Sequence, residues 1–410
     1  MVVALVFALG LVAAVLVSDR AARTALSTAV LFLLLGFGVG ESGLGLLRVD
    51  PRQPLVAHVA ELAIFSTLFA DGLRLDLGKL AATWRLPGRA LLLGLPLTCA
   101  GAALLGRGLL GLTWQDAAVL GAVLSPTDPV FAAALVRHKE LSPDLRELLN
   151  VESGLNDGLA LPLLLLFLAS GHPGGGVGAL ILPLAAGVAI GVAIPWMVDR
   201  LERSRAFGAD PEYRPLAAIG LGMLVYTVSR LARANEFLAA FPAGMTAVTL
   251  RPGLSREFRT FAEGTADLLK FGGIFVFGAL LSVRFFAETP GRTYLFAALV
   301  LVAVRPLAIT IALLGSRLDW RDRAAAAWFG PKGFSSVLYA VYVLNAGRPG
   351  GTAVFDAAAV VIALSVVAHS STDVLAARWL TAHARRARQA CEARHGAPEV
   401  GGAMKNHGVP

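Results

Sequence analysis

Apolar segments long enough to cross a bilayer recur along the whole chain, and they constrain its fold more than any other feature. The first of them, MVVALVFALGLVAAVLV, opens the sequence, and 56% of the 410 residues are hydrophobic whereas only 16% are charged. About 20 consecutive apolar residues cover the hydrocarbon core of a membrane as one helix. A soluble enzyme of this size would need polar helix faces, which are missing here. The sequence therefore predicts an all-α polytopic membrane protein.

About thirteen spans can be placed on the chain. They lie near residues 2–17, 25–40, 55–75, 86–106, 115–137, 144–169, 177–198, 213–231, 235–251, 261–285, 291–315, 322–345 and 352–377. Together they predict one transmembrane domain over residues 1–377. The polar remainder, 378–410, is expected to be a short disordered cytoplasmic tail. The first segment lacks a basic n-region, so we interpret it as a retained helix and not as a signal peptide.

The net charge of +8 is explained by the distribution of lysine and arginine. If the N-terminus lies outside, the loops on the inner side carry far more of these residues than the outer loops. The positive-inside rule then predicts an outside N-terminus and a cytoplasmic C-terminus, in the inner membrane of a prokaryote. The basic balance is a topological signal, and no nucleic-acid partner is predicted.

The fifth span is interrupted near its middle by the segment SPTDPV. Pro126 and Pro129 flank Thr127 and Asp128, and each proline lacks an N–H group and clashes with the preceding helical turn. Backbone carbonyls freed at this depth are tolerated only where they line a cavity or bind something. The pattern predicts a broken helix that carries a carboxylate at the membrane centre.

The twelfth span contains a second break, where Gly330, Pro331 and Gly333 surround Lys332. The two broken spans are the fifth and the twelfth, seven positions apart in chain order. Because seven is odd, the two helices run in opposite directions. Paired interruptions in inverted halves indicate a transporter site at the midplane. We expect the broken helices to cross, with Asp128 balancing positive helix N-termini and Lys332 balancing negative C-termini. In the simpler alternative, the prolines only kink packed helices.

The sixth span adds a polar cluster in the segment VESGLNDG. Charged groups at bilayer depth are costly and point by default to an ion or proton pathway. Oxygen ligands suit a small hard cation, and a buried carboxylate can hold either a cation or a proton. If a cation and a proton exclude each other at one carboxylate, that competition is sufficient for antiport. The alternative is a set of interhelical hydrogen bonds. The candidate cation- and proton-binding residues are Asp128, Asp157, Ser153, Thr127 (through its carbonyl) and Asn156.

Glu152 is expected to have a different role from its neighbours. A buried charge without a partner would be strongly destabilising. Arg305 lies in the otherwise apolar segment LFAALVLVAVRPLAITIALL and is the natural partner. We therefore predict a structural ion pair between Glu152 and Arg305.

The order SPTDPV, VESGLNDG, an intramembrane arginine and GPKG resembles the monovalent cation–proton antiporter family, in its sodium–proton branch with an Asn-Asp pair. The resemblance implies a homodimer with a thirteen-helix inverted-repeat fold and elevator-like alternating access. It implies Na⁺ binding through Asp128, Asp157, Ser153 and the Thr127 backbone, and it maps the family's glutamate–arginine pair onto Glu152 and Arg305.

Two residues, Lys332 and Asp71, differ from this family pattern or are hard to place on it. Lys332 stands where relatives commonly have arginine, and a buried lysine can lose its proton whereas arginine cannot readily do so. Asp71, in LFADGLRLD, lies near an acidic position that relatives use to reach the site through water. We interpret Asp71 as a solvated residue at the cytoplasmic end of its span, and Lys270 as an interfacial residue that snorkels.

The predicted function is exchange of Na⁺, or of Li⁺ or K⁺, for H⁺ without a cofactor. Asn156 leaves Asp157 as one principal proton-exchanging carboxylate, so we expect electroneutral exchange of one cation for one proton. A sodium-coupled symporter of an organic anion on the same scaffold is the main alternative. An intramembrane enzyme would need a catalytic constellation, which His58 and His369 in distant spans do not form. The choice between Na⁺ and K⁺ stays open.

Overall fold

A computed structural model describes residues 2–21, 28–47, 49–50, 52–75, 84–128, 142–170, 177–204, 213–250 and 256–372. Regular structure in these ranges is entirely helical. The helices are α1 Val2–Ala21, α2 Thr28–Val39, α3 Pro54–Arg74, α4 Arg85–Leu110, α5 Trp114–Leu124, α6 Pro143–Ala169, α7 Val177–Glu202, α8 Arg214–Leu231, α9 Glu236–Leu250, α10 Arg256–Leu280, α11 Val283–Glu288, α12 Gly291–Ala312, α13 Trp320–Trp328, α14 Phe334–Asn345 and α15 Gly351–Thr372.

Helices occupy the described parts of all thirteen predicted spans, which confirms the all-α polytopic fold. Six of them, α3, α4, α6, α7, α12 and α15, are long and apolar enough to cross a membrane, and five shorter helices are also apolar. The two interrupted spans are divided as predicted: α5 stops at Leu124, and a non-helical stretch separates α13 from α14. Pro129, the second half of the first broken span and the tail at 378–410 lie outside the described residues.

Two further helices share an internal irregularity, and their positions fit an inverted repeat. A π-helical turn occupies Ala90–Gly94 in α4 and Val300–Val304 in α12. In each case a proline follows within two residues, and it cannot donate the N–H group that a regular helix needs. These are the fourth and eleventh spans, and the same separation of seven relates the two broken spans. Matching irregularities at matching positions are expected of two halves with opposite orientation.

Glycines bring α3 and α9 into backbone contact, and this packing fixes one wall of the site. A Cβ atom on Gly72 would overlap the Phe241 carbonyl, and one on Gly244 would overlap the Phe69 carbonyl. The contact is therefore reciprocal, with one glycine from each helix. Small residues at such crossings let membrane helices approach closely. α3 is held in this way beside α6 and α14, which carry other parts of the site.

Replacing Gly244 by alanine is expected to lower the free energy of unfolding by about 1–3 kcal/mol, because the added methyl group must push α9 away from α3. The measurement is thermal unfolding of the purified protein in detergent. Gly220→Ala on α8 is the matched control, since nothing lies within 4 Å of a Cβ atom built there. If both variants unfold at the same temperature, the close α3–α9 contact does not contribute to stability.

Candidate cation and proton site

The two breaks cross, and they are joined by a backbone hydrogen bond. The chain leaves α5 at Leu124 and continues without helical structure through residues 125–128. The Asp128 N–H group donates to the carbonyl of Pro331 in the second break, with an N···O distance of 3.0 Å. Both breaks are buried, so the polar backbone of each is satisfied partly by the other.

Asp128 caps the N-terminus of α14, the half-helix that follows the second break. Its Oδ2 atom accepts a hydrogen bond of 2.8 Å from the Phe334 N–H group. The first N–H groups of a helix have no partner within it and carry partial positive charge, so a carboxylate is stabilised there. Gly333 makes this approach sterically feasible, because a Cβ atom at that position would overlap the Asp128 carboxylate.

Lys332 lies at the C-terminus of a helix, whereas Asp128 lies at an N-terminus. Its side chain is fully buried, and Nζ donates to the carbonyls of Ser125 (3.3 Å) and Pro126 (3.2 Å) at the C-terminus of α5. These carbonyls carry partial negative charge. The Lys332 backbone N–H group donates to Ser365 Oγ on α15 at 2.6 Å. Opposite charges therefore lie at opposite helix ends within one crossing.

Asn156 joins α6 to the first break. Its Nδ2 group donates to the Thr127 carbonyl at 2.9 Å and to Thr127 Oγ1 at 2.6 Å. Its Oδ1 atom has no hydrogen-bond partner among the described residues. Asn156 thus positions Thr127 through its amide N–H groups, and its role as an oxygen ligand stays a prediction.

Asp157 is buried on α6 and faces α14. Its Oδ2 atom accepts a short hydrogen bond from the Ser335 hydroxyl, and its backbone carbonyl accepts one of 3.0 Å from the Tyr339 hydroxyl. Its Oδ1 atom has no hydrogen-bond partner in the described part of the chain. Ser153, one turn earlier, donates to the Leu149 carbonyl at 2.8 Å, which leaves its oxygen lone pairs available.

Glu152 and Arg305 form a buried ion pair, with 2.8 Å between Oε1 and Nη2 and no more than 6% of either side chain exposed. The same Nη2 group donates to the Phe329 carbonyl at 3.2 Å, at the end of α13. The guanidinium group occupies the space beside Gly330, where a Cβ atom would overlap it. The pair connects α6, α12 and the second break.

The structure contradicts the interpretation of Asp71 and Lys270 as residues in contact with solvent. Asp71 is 2% exposed and accepts a hydrogen bond of 3.4 Å from Arg74, which also contacts Glu263 at 3.1 Å. Lys270 is 6% exposed, and its Nζ atom lies 5.9 Å from the centre of the Phe334 ring. α10 packs against α3 and α14, and this packing buries Lys270 within the protein. Both charges interact electrostatically with Asp157.

The comparison with protein families decides the assignment, since residues 6–377 match the transmembrane sodium/hydrogen exchanger family. The chain belongs to that family. The chain is 26% identical over 401 residues to the K⁺/H⁺ antiporter NhaP of Alkalimonas amylolytica, and the match covers 93% of this chain and 66% of that protein. It is also 26% identical to the K⁺/H⁺ antiporter NhaP2 of Shewanella baltica, with coverages of 89% and 64%. The chain thus spans about two thirds of the length of these relatives.

A solved structure has the same fold. The sodium proton antiporter MjNhaP1 from Methanocaldococcus jannaschii, determined at pH 8, superposes on this chain with a TM-score of 0.73 and 18% sequence identity. The superposition covers 92% of this chain and 97% of that chain. This likeness, together with the family match, confirms the predicted antiporter fold.

Four residues near the crossing were missed by the sequence analysis as contributors to the site: Ser335, Tyr339, Ser365 and His369. His369 is buried and contacts the Ser365 and Trp328 carbonyls at 2.9 and 3.2 Å, so it braces the second break from α15. Ser335 follows GPKG by two residues, and its place in the first turn of a half-helix was an available signal. His58 is exposed and far from this group, with Nδ1 at 2.6 Å from the Pro54 carbonyl.

Proposed function

We propose that the exchanger is a secondary antiporter in which a monovalent alkali cation and a proton compete for Asp157. The observation that carries this proposal is the hydrogen bonding of the two Asp157 carboxylate oxygens. One oxygen is hydrogen-bonded to Ser335, and the other is buried without a partner among the described residues. A carboxylate oxygen that is desolvated and unpaired is stabilised by either a proton or a cation. The antiporter relatives support this class of function and give no support to the symporter alternative.

The proposed cation is Na⁺, with Li⁺ and K⁺ as further candidates. Its proposed ligands are Asp128, Asp157, Ser153 and the Thr127 carbonyl, and the role of Asn156 is to hold that carbonyl in place. NhaP and NhaP2 are named as K⁺/H⁺ antiporters, and MjNhaP1 as a sodium proton antiporter. The cation must therefore be measured for this chain.

The remaining parts of the proposal are electroneutral exchange, elevator-like movement and assembly as a homodimer with the N-terminus outside. Electroneutrality follows from chemistry at one position. Asn156 cannot take up a proton, so Asp157 is the principal carboxylate through which one cation replaces one proton.

Substituting Asp157 by asparagine is expected to abolish cation-driven proton release from everted vesicles and from proteoliposomes. The reason is that only an ionisable group can exchange a cation for a proton. The wild type should release protons saturably in response to Na⁺, Li⁺ or K⁺ across a pH titration. Gel filtration and thermal unfolding serve as controls for folding. A folded wild-type protein that releases no protons with any of the three cations would contradict the proposal. A rate that depends clearly on membrane potential would contradict electroneutrality.

A further inference from the structure

A narrow cleft lies between α3, α6 and α14, next to the proposed cation site. The space between its walls is too narrow to hold a water molecule. Its polar lining consists of Thr67, Asp157, Ser335 and Tyr339, and the rest of the wall is aliphatic and aromatic carbon. Any ion in this cleft is therefore held by a few oxygens.

Two oxygens in the cleft have no partner among the described residues. The Ser335 and Tyr339 hydroxyls both donate to Asp157, to its carboxylate and its carbonyl respectively. The two remaining oxygens are Asp157 Oδ1 and Thr67 Oγ1, and Thr67 is 3% exposed. Buried polar atoms are nearly always satisfied, so a pair of unsatisfied oxygens lining one cleft calls for a specific explanation.

Thr67 differs in its hydrogen bonding from several other helical threonines of the chain. A helical threonine in an apolar setting normally donates to the carbonyl four residues earlier. Thr98, Thr249 and Thr310 all do so, at 2.7 Å in each case. Thr67 makes no such bond, so both its proton and its lone pairs are available in the cleft.

We propose that the Thr67 hydroxyl is a further ligand of the cation bound at Asp157, contributed by α3 and not by the broken helices. The proposal rests on the antiport function proposed above and extends it to ion selectivity. A neutral oxygen raises the affinity for an alkali cation without adding a second group that exchanges protons. The distance between α3 and α6 then helps to set the size of ion that fits, because selectivity depends on cavity size and rigidity.

The sequence spacing on α3 agrees with this role. Ile64, Thr67 and Leu68 all line the cleft, and Asp71 follows Thr67 by one helical turn. Arg74 and Glu263 lie beyond Asp71 and are partly exposed. One face of α3 thus runs from a partly exposed ion pair through Asp71 and Thr67 towards Asp157.

The test is a comparison of Thr67→Val with Thr67→Ser in proteoliposomes, with Na⁺, Li⁺ and K⁺ each titrated to saturation. Valine keeps the shape of threonine but removes the oxygen. We expect the half-saturating cation concentration to rise about tenfold, equivalent to about 1.4 kcal/mol. The ratio between the three cations should change, and the maximal rate should be retained. The serine variant should behave as the wild type does.

Ser229→Ala is the matched control, because Ser229 on α8 is also buried with an unpartnered hydroxyl but does not line the cleft. It should leave all three cation titrations unchanged. If Thr67→Val does not fold, Thr67→Ala replaces it with the same expected shift. Wild-type affinity and selectivity in the folded variant, together with loss of exchange in Asp157→Asn, would overturn the role of Thr67 alone. Normal exchange by Asp157→Asn would instead overturn the proposed function.

Discussion

Replacing Arg305 by methionine is expected to lower the free energy of unfolding by about 3–5 kcal/mol, the range found when one partner of a buried ion pair is removed. The substitution leaves the buried Glu152 side chain without its ionic partner, with Oε2 already lacking a partner in the described part of the chain. It also removes a donor from the Phe329 carbonyl at the end of α13. The measurement is denaturation of the purified protein in detergent, followed by tryptophan fluorescence.

A second variant distinguishes the destabilisation caused by the unpaired charge from that caused by the lost packing. Glu152→Gln combined with Arg305→Met removes both charges, so the double variant should be more stable than Arg305→Met alone. Arg284→Met serves as a matched control, because the Arg284–Glu288 pair is exposed and its loss should not be measurable. A double variant as unstable as the single one would show that packing around Arg305, and not the charge on Glu152, causes the loss.

The positions of the spans and of both breaks were predictable because they depend on local chemistry. A run of apolar residues specifies a spanning helix wherever the chain enters a bilayer. A proline interrupts the hydrogen-bond ladder in any context. The pairing of Glu152 with Arg305 could also be predicted, since few basic residues within the spans were available to neutralise that carboxylate.

Contacts between helices were not predictable in the same way. Asn156 donates to Thr127 because α6 approaches the first break in a particular register, and hydropathy does not specify that register. The burial of Lys270 depends on the packing of α10 against α3 and α14, which hydropathy does not specify. The contact between Ser335 and Asp157 requires the rotation of α14 about its axis, a tertiary property that a single sequence does not specify.

Lys332→Met is expected to lower the free energy of unfolding by about 1.5–3 kcal/mol, the range for hydrogen bonds to charged groups. The carbonyls of Ser125 and Pro126 would lose their donor inside the protein, at the negative end of α5. Since Asp128 is tied to the same crossing through Pro331, the loss should also displace the proposed cation site and remove most of the exchange activity. Denaturation and the proteoliposome assay measure the two effects.

Lys332→Arg shows which property of the lysine matters. Arginine keeps the positive charge and the donors but cannot readily release its proton. If Lys332 serves only to neutralise the C-terminus of α5, the arginine variant should retain stability and exchange close to those of the wild type. If Lys332 instead carries a transported proton, the arginine variant should fold normally and fail to exchange. Because the half-helix ends also hold Asp128, the first outcome would assign the crossing an electrostatic role and leave Asp157 as the group that exchanges cation for proton.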